Sequence, residues 1–570
     1  MPLDRRAAAE ALEEIAALME LKGENPFRVR AFANGARVIV GLADFEDRLA
    51  QGTLTEVKGI GQGIATEVVA LARVGASPML DALRREVPEG LRAIASVPGL
   101  GPKKARALHD DLGIRSLAEL EYACRENRLK TLKGFGAKTQ EKVLEALRSI
   151  ARRAGLLRRD DVRVMESMAD AAARKAGGRA FACGAYRRGE ILAEGLDLVV
   201  AADDPDAALD AALAALPVQE VLARAKDGTA RLRMRNGAEA RVVAVPEGAL
   251  GAALAAATGP EGHLRALGDL RRSTQKGASP GPRSWPDEAA FYADIGLPWI
   301  PPEQRGDGSE IEAARAGRLP RILERSEVLG ALHAHTTWSD GSGTVAEMLD
   351  AAAAAGLAWI GISDHSPTAA YAGGLPAERL VLQQREIDAE AAKRPNLAVF
   401  KGTECDILGD GALDYPEAIL ARFDFVVASV HSRFTMPEAE QTARVLRAVA
   451  DPHTTVLGHP TGRLLLGRDG YAVDIPEVLR ACAQHGVAVE LNAHPARLDL
   501  DPKWMPLVKE LGVTVSIGPD AHEPAGFDDL DHGVAVARRC GLAPGQVLNA
   551  RDAAGAREYL AARRRRREAR

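Results

Sequence analysis

Acids and histidines stand at the ends of short apolar runs throughout the last 240 or so residues. They are His333, His335, Asp340, His365, Glu404, His431, His459, Asp520 and His522. Apolar runs that alternate with helical segments predict the buried strands of an α/β barrel, and the carboxyl ends of such strands meet at one face. These nitrogen and oxygen ligands exceed what one tetrahedral zinc ion needs. The pattern therefore predicts a cluster of two or three divalent metals and a metal-dependent hydrolase.

The composition argues against a chain that is basic overall, a disulfide-stabilised protein and a membrane protein. The chain has 570 residues, which is enough for several domains, and 46% hydrophobic with 27% charged residues is ordinary for a globular protein. The net charge of −5 gives no global basic field, so any contact with nucleic acid must come from local patches. The five cysteines include no CxxC pair, which predicts reduced thiols. With no signal peptide and no membrane-length apolar run, the sequence predicts a cytoplasmic protein.

The first 155 residues carry one pattern three times, in VKGIGQGIA, VPGLGPKKA and LKGFGAKTQ. A Gly-apolar-Gly turn between short helices directs backbone N–H groups and a helix N-terminus outward, which suits a phosphate without any side-chain code. The repeated pattern resembles helix-hairpin-helix motifs, which bind duplex DNA irrespective of sequence. The predicted DNA-binding residues are Gly59, Gly61, Gly99, Gly101, Lys103, Lys104, Gly134, Gly136 and Lys138.

The segment FACGAYRRGEILAEGLDLVV resembles the nucleotidyltransferase motif of family X DNA polymerases. Gly184, Arg187, Arg188 and Asp197 match that motif, and Glu239 is the candidate for the third metal carboxylate. The first carboxylate position, however, is Gly195, which offers no oxygen to a metal. The resemblance therefore implies a vestigial palm with doubtful Mg²⁺ or Mn²⁺ binding, in which the two arginines could still hold DNA or a deoxynucleoside triphosphate. Glu67 stands where relatives with lyase activity have a Schiff-base lysine, so that activity is not expected.

The barrel region resembles the PHP (polymerase and histidinol phosphatase) family, a distorted barrel with a trinuclear metal site. Motifs HAHTTWSDG, SDHS, GTECDIL, ASVHS, LGHPTGR and PDAH match in family order, and the resemblance implies that all the residues given above for this region are metal ligands. Glu404, Asp340 and His365 are the predicted catalytic residues. Mn²⁺ and Zn²⁺ are the favoured ions and Fe²⁺ is a further candidate, because mixed imidazole and carboxylate ligands do not choose among them. His494 is predicted to face substrate or to be structural, while Arg463 and Arg497 are candidates for contact with a phosphate.

Together these features resemble the bacterial family X DNA polymerases. The predicted fold is an all-α helix-hairpin-helix region (1–155), an α+β nucleotidyltransferase palm (156–305), a linker (306–327) and an α/β distorted (β/α)7 PHP barrel (328–570). The resemblance implies a DNA repair enzyme that acts on gapped, nicked or 3′-recessed duplex. For this sequence we expect 3′–5′ exonuclease or 3′-end phosphoesterase activity from the PHP region, in a monomer.

Three other functions are compatible with parts of the sequence. An active gap-filling polymerase would require Asp197 and Glu239 to hold metals without the first carboxylate. A small-molecule phosphatase of the histidinol phosphatase type would need only the PHP region, and the three hairpins count against it. A pure DNA-binding module would bind DNA in a salt-dependent manner without turnover.

Overall fold

The computed structural model describes residues 4–42, 44–125, 129, 132, 135–153, 155–274 and 284–568. The chain divides into two compact units, residues 1–154 and residues 155–570. The three-part fold class predicted from the sequence is confirmed: a helical region is followed by a mixed sheet and then by a parallel barrel.

The first unit is helical in its described residues. Its α-helices are α1 (Arg5–Lys22), α2 (Pro26–Val40), α3 (Phe45–Gln51), α4 (Gln62–Val74), α5 (Pro78–Glu86), α6 (Glu89–Ala95), α7 (Gly101–Leu112), α8 (Leu117–Arg125) and α9 (Ala137–Arg153). Apolar residues at spacings of three and four bury one face of α1, including Leu12, Ile15 and Met19, in the core of this unit. The second glycine of each hairpin stands at or directly before the first residue of α4, α7 or α9.

The second unit begins with a mixed sheet and its helices. The strands are β1 (Leu157–Arg158), β2 (Gly178–Ala182), β3 (Leu192–Ala193), β4 (Gly195–Ala202), β5 (Val218–Arg224), β6 (Thr229–Met234) and β7 (Glu239–Val245). The helices are α10 (Arg159–Lys175), α11 (Gly184–Arg187), α12 (Pro205–Ala215), α13 (Leu250–Thr258), α14 (Glu261–Thr274), α15 (Glu288–Asp294) and α16 (Ser309–Arg315). Five strands form one sheet in the order β2-β4-β7-β6-β5, with β4 and β7 parallel.

The rest of the second unit is a barrel of parallel strands. They are β8 (Gly330–Ala331), β9 (Trp359–Ile362), β10 (Ala398–Asp406), β11 (Phe425–Ser429), β12 (Val456–Leu457), β13 (Ala488–Asn492) and β14 (Val515–Gly518), hydrogen-bonded in chain order. The helices around them are α17 (Val345–Ala354), α18 (Ala377–Ala391), α19 (Glu417–Leu420), α20 (Glu438–Ala450), α21 (Ile475–His485), α22 (Met505–Glu510), α23 (Leu530–Arg539) and α24 (Ala553–Glu568).

The first and last strands of the barrel are joined at both ends. At the carboxyl end Ala334 and Ala521 form a parallel bridge. At the other end the side-chain amide of Asn549 donates to the carbonyl oxygens of Gly330 and Ile517, each at 2.8 Å. Because the ring is nearly closed, the loops that follow all seven strands surround one opening.

The mixed sheet and the barrel pack against each other within the second unit. Arg163 of α10 forms an ion pair with Asp529 at 3.1 Å, and Arg538 of α23 pairs with Glu303 at 2.7 Å. A Cβ atom on Gly189 would lie 2.3 Å from the carbonyl oxygen of Ala535 in α23. The turn that carries the nucleotidyltransferase motif therefore lies directly against a barrel helix, and only glycine allows that approach.

Among the described residues no single helix has the length and apolar character needed to cross a membrane. One bent pair, Gln62–Arg73 with Pro78–Glu86, meets that test of length and composition when the two helices are taken together.

Candidate metal centre

All the barrel residues predicted as ligands lie at the carboxyl ends of the barrel strands. Glu404 is part of β10, and the others stand in the segments that follow β8, β9, β11, β12 and β14. Three of them have backbone φ angles in the left-handed region, namely His333 at 73°, His459 at 23° and Asp520 at 52°. Non-glycine residues rarely adopt that conformation, and it concentrates at functional sites where the surrounding fold enforces it.

These side chains form four overlapping groups, and within each group the potential ligand atoms lie within 4.8 Å of one another. The groups are His335–Asp340–His365–His522, His333–Glu404–His459, His333–His335–Asp520 and His365–Glu404–His431. His333, His335, His365 and Glu404 each belong to two groups. Shared ligands of this kind are typical of adjacent ions rather than of isolated single-ion sites.

Glu404 lies at the centre of the cluster, and its two oxygens face different histidines. Oε1 is 2.9 Å from Nε2 of His459 and 3.2 Å from Nε2 of His431. Oε2 is 3.1 Å from Nδ1 of His365 and 3.6 Å from Nε2 of His335. The carboxylate, which is almost completely buried, therefore lies between two groups of potential ligands, as a bridging carboxylate would.

Buried charges divide the histidines into two kinds. Burial works against protonation of His431, but the carboxylates of Glu404 and Asp406 outweigh it and raise its pKa to about 10. Burial and the neighbouring His522 and His365 lower the pKa of His335 to about 4. Carboxylates thus raise the pKa of one histidine while burial and neighbouring imidazoles lower that of another, and the negative charge of the cluster favours a cation among these side chains.

The cluster also offers nitrogen atoms that nothing in the described chain satisfies. Nε2 of His333, both ring nitrogens of His335 and Nδ1 of His459 are buried without a hydrogen-bond partner in the described residues. An unsatisfied buried polar atom costs about 1–3 kcal/mol. Imidazole nitrogens directed among carboxylates are the donors that divalent transition metals use, so the residues present fit such ions.

Two buried carboxylates behind the histidines were not predicted from the sequence. Oε1 of Glu490 lies 2.5 Å from Nδ1 of His333, and Oε2 accepts from the backbone N–H of His459 at 2.6 Å. Asp406 makes the equivalent contact, 2.6 Å from Nδ1 of His431. These contacts turn the opposite ring nitrogen, Nε2, toward Glu404 and fix the ring orientation. The available signal was an acid inside an apolar run, as in VAVELNAHP.

Replacement of Glu490 by glutamine is expected to weaken metal binding by about 10–100-fold, the usual effect of removing a carboxylate behind a ligating histidine. The side chain keeps its size but loses the charge that faces His333. Competition with a chelating dye would measure the Mn²⁺ affinity. Glu477→Gln, at an exposed position on α21, is the matched control. Unchanged affinity in the Glu490 variant would contradict an orienting role.

The two predicted phosphate-contacting arginines have different surroundings. Arg463 is buried and donates to the carbonyl oxygens of Arg497 and Leu498 and to Asp501 at 2.7 Å. It is therefore occupied within the protein, and the prediction that it contacts a phosphate does not fit its environment. Arg497 lies at the opening, with Nε 3.3 Å from Oδ2 of Asp520.

Four of the described hairpin glycines have open space beside them, whereas a Cβ atom at Gly59 would lie 3.2 Å from Cγ2 of Val38. A Cβ atom at Gly61, Gly99, Gly101 or Gly136 would meet no atom within 4 Å. Lys103 is exposed, whereas Lys104 donates to the carbonyl oxygen of Gly99 at 2.8 Å and so ties down the turn. Lys138 is exposed as well, and Gly134 lies outside the described residues. Accessible N–H groups at a helix start, without a side chain in front, suit approach of a phosphate backbone.

The palm carboxylates are paired with arginines. Asp197 on β4 stands in register with Arg241 on β7, and Nε of Arg241 is 3.1 Å from Oδ1 of Asp197. Glu239 stands opposite Gly195 and pairs instead with Arg231 at 3.0 Å. A cation beside Asp197 would face the guanidinium group of Arg241, which supports the interpretation of this site as vestigial.

The motif arginines are also bound within the protein. Arg187 forms a buried ion pair with Glu288 at 2.6 Å, and Glu288 pairs in turn with the fully buried Arg305 at 2.8 Å. Arg188 pairs with Glu190 at 2.8 Å. In the first unit Glu67 accepts from the hydroxyl of Ser77 at 2.5 Å, at the N-cap of α5, so its role there is structural.

Comparison with known proteins agrees with this arrangement. Residues 4–77 match the model of the helix-hairpin-helix domain, residues 91–149 the SAM-like helix-hairpin-helix tandem and residues 331–494 the PHP domain. The protein is thus a PHP enzyme joined to hairpin DNA-binding modules. The chain belongs to the bacterial family X DNA polymerases that carry a PHP domain, as the sequence predicted.

The relatives include both DNA enzymes and phosphatases. The chain is 34% identical to the DNA polymerase/3′-5′ exonuclease PolX of Bacillus subtilis over 96% of its own length and 98% of that protein. A "probable phosphatase" of Thermoanaerobacter sp. is 28% identical over 40% of this chain and 92% of its own length. Another, from Caldicellulosiruptor saccharolyticus, is 30% identical over 33% of this chain and 78% of its own length. The chain is therefore an enzyme that acts on DNA and binds divalent metal through its PHP domain.

Proposed function

We propose that this enzyme removes nucleotides or blocking groups from the 3′ ends of gapped or nicked duplex DNA by 3′–5′ hydrolysis in the PHP barrel. The supporting observation is the set of four overlapping ligand groups around Glu404 at the barrel opening. The hairpins of the first unit would hold the duplex through its phosphate backbone. The full-length similarity to a polymerase/exonuclease favours DNA over a small phosphate ester as substrate.

In this proposal all the predicted barrel ligands hold two or three ions, with Mn²⁺ or Zn²⁺ favoured and Fe²⁺ a further candidate. When bound, such ions neutralise phosphate oxygens and generate a nucleophile from water near neutral pH. Glu404, with oxygens directed to two groups of ligands, would fix the spacing of two ions. Asp340 and His365 would act beside it, with Oδ1 of Asp340 3.5 Å from Nε2 of His365.

We propose no template-directed synthesis by the palm. Two-metal phosphoryl transfer requires carboxylates that bridge ions about 3.5–4 Å apart. Asp197 is bound to Arg241 and Glu239 to Arg231, while Gly195 has no oxygen ligand. The palm would instead support the barrel, against which its motif turn packs. The boundaries at residues 156, 306 and 328 and the cytoplasmic location stay predictions.

A 5′-labelled primer annealed beside a one-nucleotide gap would test both parts of the proposal. The protein would be incubated with Mn²⁺, with and without deoxynucleoside triphosphates, beside a His333→Ala/His335→Ala variant and the control His485→Ala on α21. We expect the wild type and the control to shorten the primer and the double variant to leave it intact. We expect no extension in any sample.

The other outcomes separate the alternatives. Extension that persists in the double variant would show a working palm and contradict the interpretation of Gly195. Shortening that persists in the double variant would place the nuclease outside this cluster. Binding of DNA without turnover under Mn²⁺, Zn²⁺ or Fe²⁺ would reduce the protein to a binding module, and its affinity should then fall steeply with salt.

A further inference from the structure

Two loops form one side of the opening next to the metal centre. The loop after β12 contains Arg468, and the loop after β13 contains His494 and Arg497. The loops are joined by a hydrogen bond from the N–H of Leu465 to the carbonyl oxygen of Ala496 at 2.6 Å. We call the side chains of Arg468, His494 and Arg497 the donor rim.

Arg497 is held through its Nε and its backbone, while its two terminal nitrogens make no hydrogen bond in the described residues. Its Nε lies 3.3 Å from Asp520, and the side chain is 21% exposed. Its backbone carbonyl oxygen accepts from the buried guanidinium group of Arg463, which holds this loop in place. Within the described residues Nη1 and Nη2 make no hydrogen bond, so two N–H-bearing nitrogens beside the predicted ligands are available to an anion. The planar guanidinium group of arginine can donate two parallel hydrogen bonds to two oxygens of one phosphate.

Arg468 is the second positive charge of the rim, and it contacts none of the predicted metal ligands. Its guanidinium group donates to the carbonyl oxygen of Gly462 at 2.8 Å and lies 4.2 Å from the centre of the Phe434 ring. Partial burial, and then the positive charge of Arg497, lower its pKa. The hydrogen bond between Leu465 and Ala496 holds the two arginine-bearing loops together, and no carboxylate pairs with Arg468 in the described chain. An anion between the two cations would be stabilised by both.

His494 adds a neutral donor to the same side of the opening. Its Nδ1 accepts from the N–H of Ala496 at 3.2 Å, so the proton of the neutral ring is on Nε2. Burial lowers its pKa, which keeps the ring neutral at physiological pH. Nε2 has no partner in the described residues and can donate to an oxygen outside the protein.

We propose that the donor rim is the DNA-backbone subsite of the metal centre. In this arrangement Arg497, with His494, binds the non-bridging oxygens of the phosphate being cleaved, and Arg468 binds the neighbouring phosphate of the same strand. The assignment rests on the proposed hydrolysis of DNA and adds the residues that recognise its backbone. Because the rim contacts phosphates alone, it requires no particular base.

A pair of substrates distinguishes the role of Arg497 from that of Arg468. One is a 5′-labelled gapped DNA, and the other is bis-p-nitrophenyl phosphate, which has a single phosphodiester. We expect Arg497→Ala to lower kcat by about 100-fold on both substrates, as loss of a transition-state donor does. We expect Arg468→Ala to raise KM about 10-fold on DNA only and to reduce the salt slope of DNA binding by about 1. Arg497→Lys should recover part of the loss, and Arg480→Ala on α21 is the matched control.

Metal affinity and phosphate binding provide readouts that do not depend on turnover. Calorimetry would measure Mn²⁺ affinity in each variant and inorganic phosphate binding to the Mn²⁺-loaded protein. Unchanged Mn²⁺ affinity with weaker phosphate binding in Arg497→Ala supports the subsite. A fall in Mn²⁺ affinity that accounts for the whole loss of activity would show that Arg497 acts only through Asp520, and this overturns the proposal.

Three further outcomes separate the subsite from the proposed function. If Arg468→Ala leaves KM on DNA unchanged, the neighbouring-phosphate assignment is wrong. If the wild type does not hydrolyse DNA but binds phosphate, and Arg497→Ala loses that binding, the subsite stands while the DNA function fails. Equal phosphate binding by the wild type and Arg497→Ala removes the subsite whatever the activity on DNA.

Discussion

Replacement of Glu404 by glutamine is expected to reduce metal-dependent hydrolysis by at least about 1,000-fold, which corresponds to about 4 kcal/mol. The carboxylate is nearly fully buried and faces His333, His365, His431 and His459 within 3.3 Å. An amide keeps the shape but removes the buried negative charge, and its NH₂ group would face imidazole nitrogens. Gapped DNA with Mn²⁺ gives the rate, and metal analysis of the purified variant gives the number of ions retained.

Glu440→Gln, at an exposed position on α20, controls for loss of one carboxylate. It should retain wild-type activity and metal content. A Glu404 variant that keeps all its ions and more than about a tenth of the activity would show that this residue does not bridge the ions, and the proposed arrangement would then need another central ligand.

Replacement of Glu288 by alanine is expected to lower the free energy of unfolding by about 3–5 kcal/mol, the usual cost of removing one partner from a buried ion pair. Arg305 has no exposed surface and the Arg187 side chain is 25% exposed, so one cation would be left in the interior and the other at its edge without their anion. Burial opposes ionisation of Glu288, but these two arginines outweigh it and lower its pKa. Urea unfolding monitored by fluorescence would report the change, because Nε1 of Trp299 lies 3.3 Å from Glu288.

Glu312→Ala provides the surface comparison, since Glu312 pairs with Arg315 at 3.0 Å but both side chains are more than half exposed. Exposed pairs contribute about 0–1 kcal/mol. A loss of less than about 1 kcal/mol in the Glu288 variant would mean that the two arginines reach water or other acceptors, and the palm network would then not stabilise the second unit.

The barrel and the predicted ligands could be read from the sequence because both depend on local patterns. Each strand is a short apolar run, and in a parallel barrel the side chain that follows such a run must lie at one face. His333 and Asp520, nearly 190 residues apart, therefore could be placed together before the structure was known, and Nε2 of His333 is 3.4 Å from Oδ1 of Asp520.

Contacts that depend on register or on side-chain direction could not be read in this way. The pairing of Asp197 with Arg241 follows from the alignment of β4 and β7, and a shift by one residue would turn the arginine to the opposite face. The different surroundings of Arg463 and Arg497 depend on how the loop after β13 folds back, which no periodicity encodes. The DNA-binding hairpins were recognisable because each requires glycine at a fixed place next to a helix start.

Gly195 lies where two strands of the palm sheet come too close together for a larger side chain. A Cβ atom at this position would lie 2.6 Å from the carbonyl oxygen of Glu239, so β4 and β7 approach each other more closely than an aspartate permits. An aspartate introduced at Gly195 is therefore expected to cost folding stability before any metal could bind. A palm that holds two ions would also need Arg241 to be replaced, because its guanidinium group faces Asp197. A single substitution thus does not rebuild a metal site between these strands.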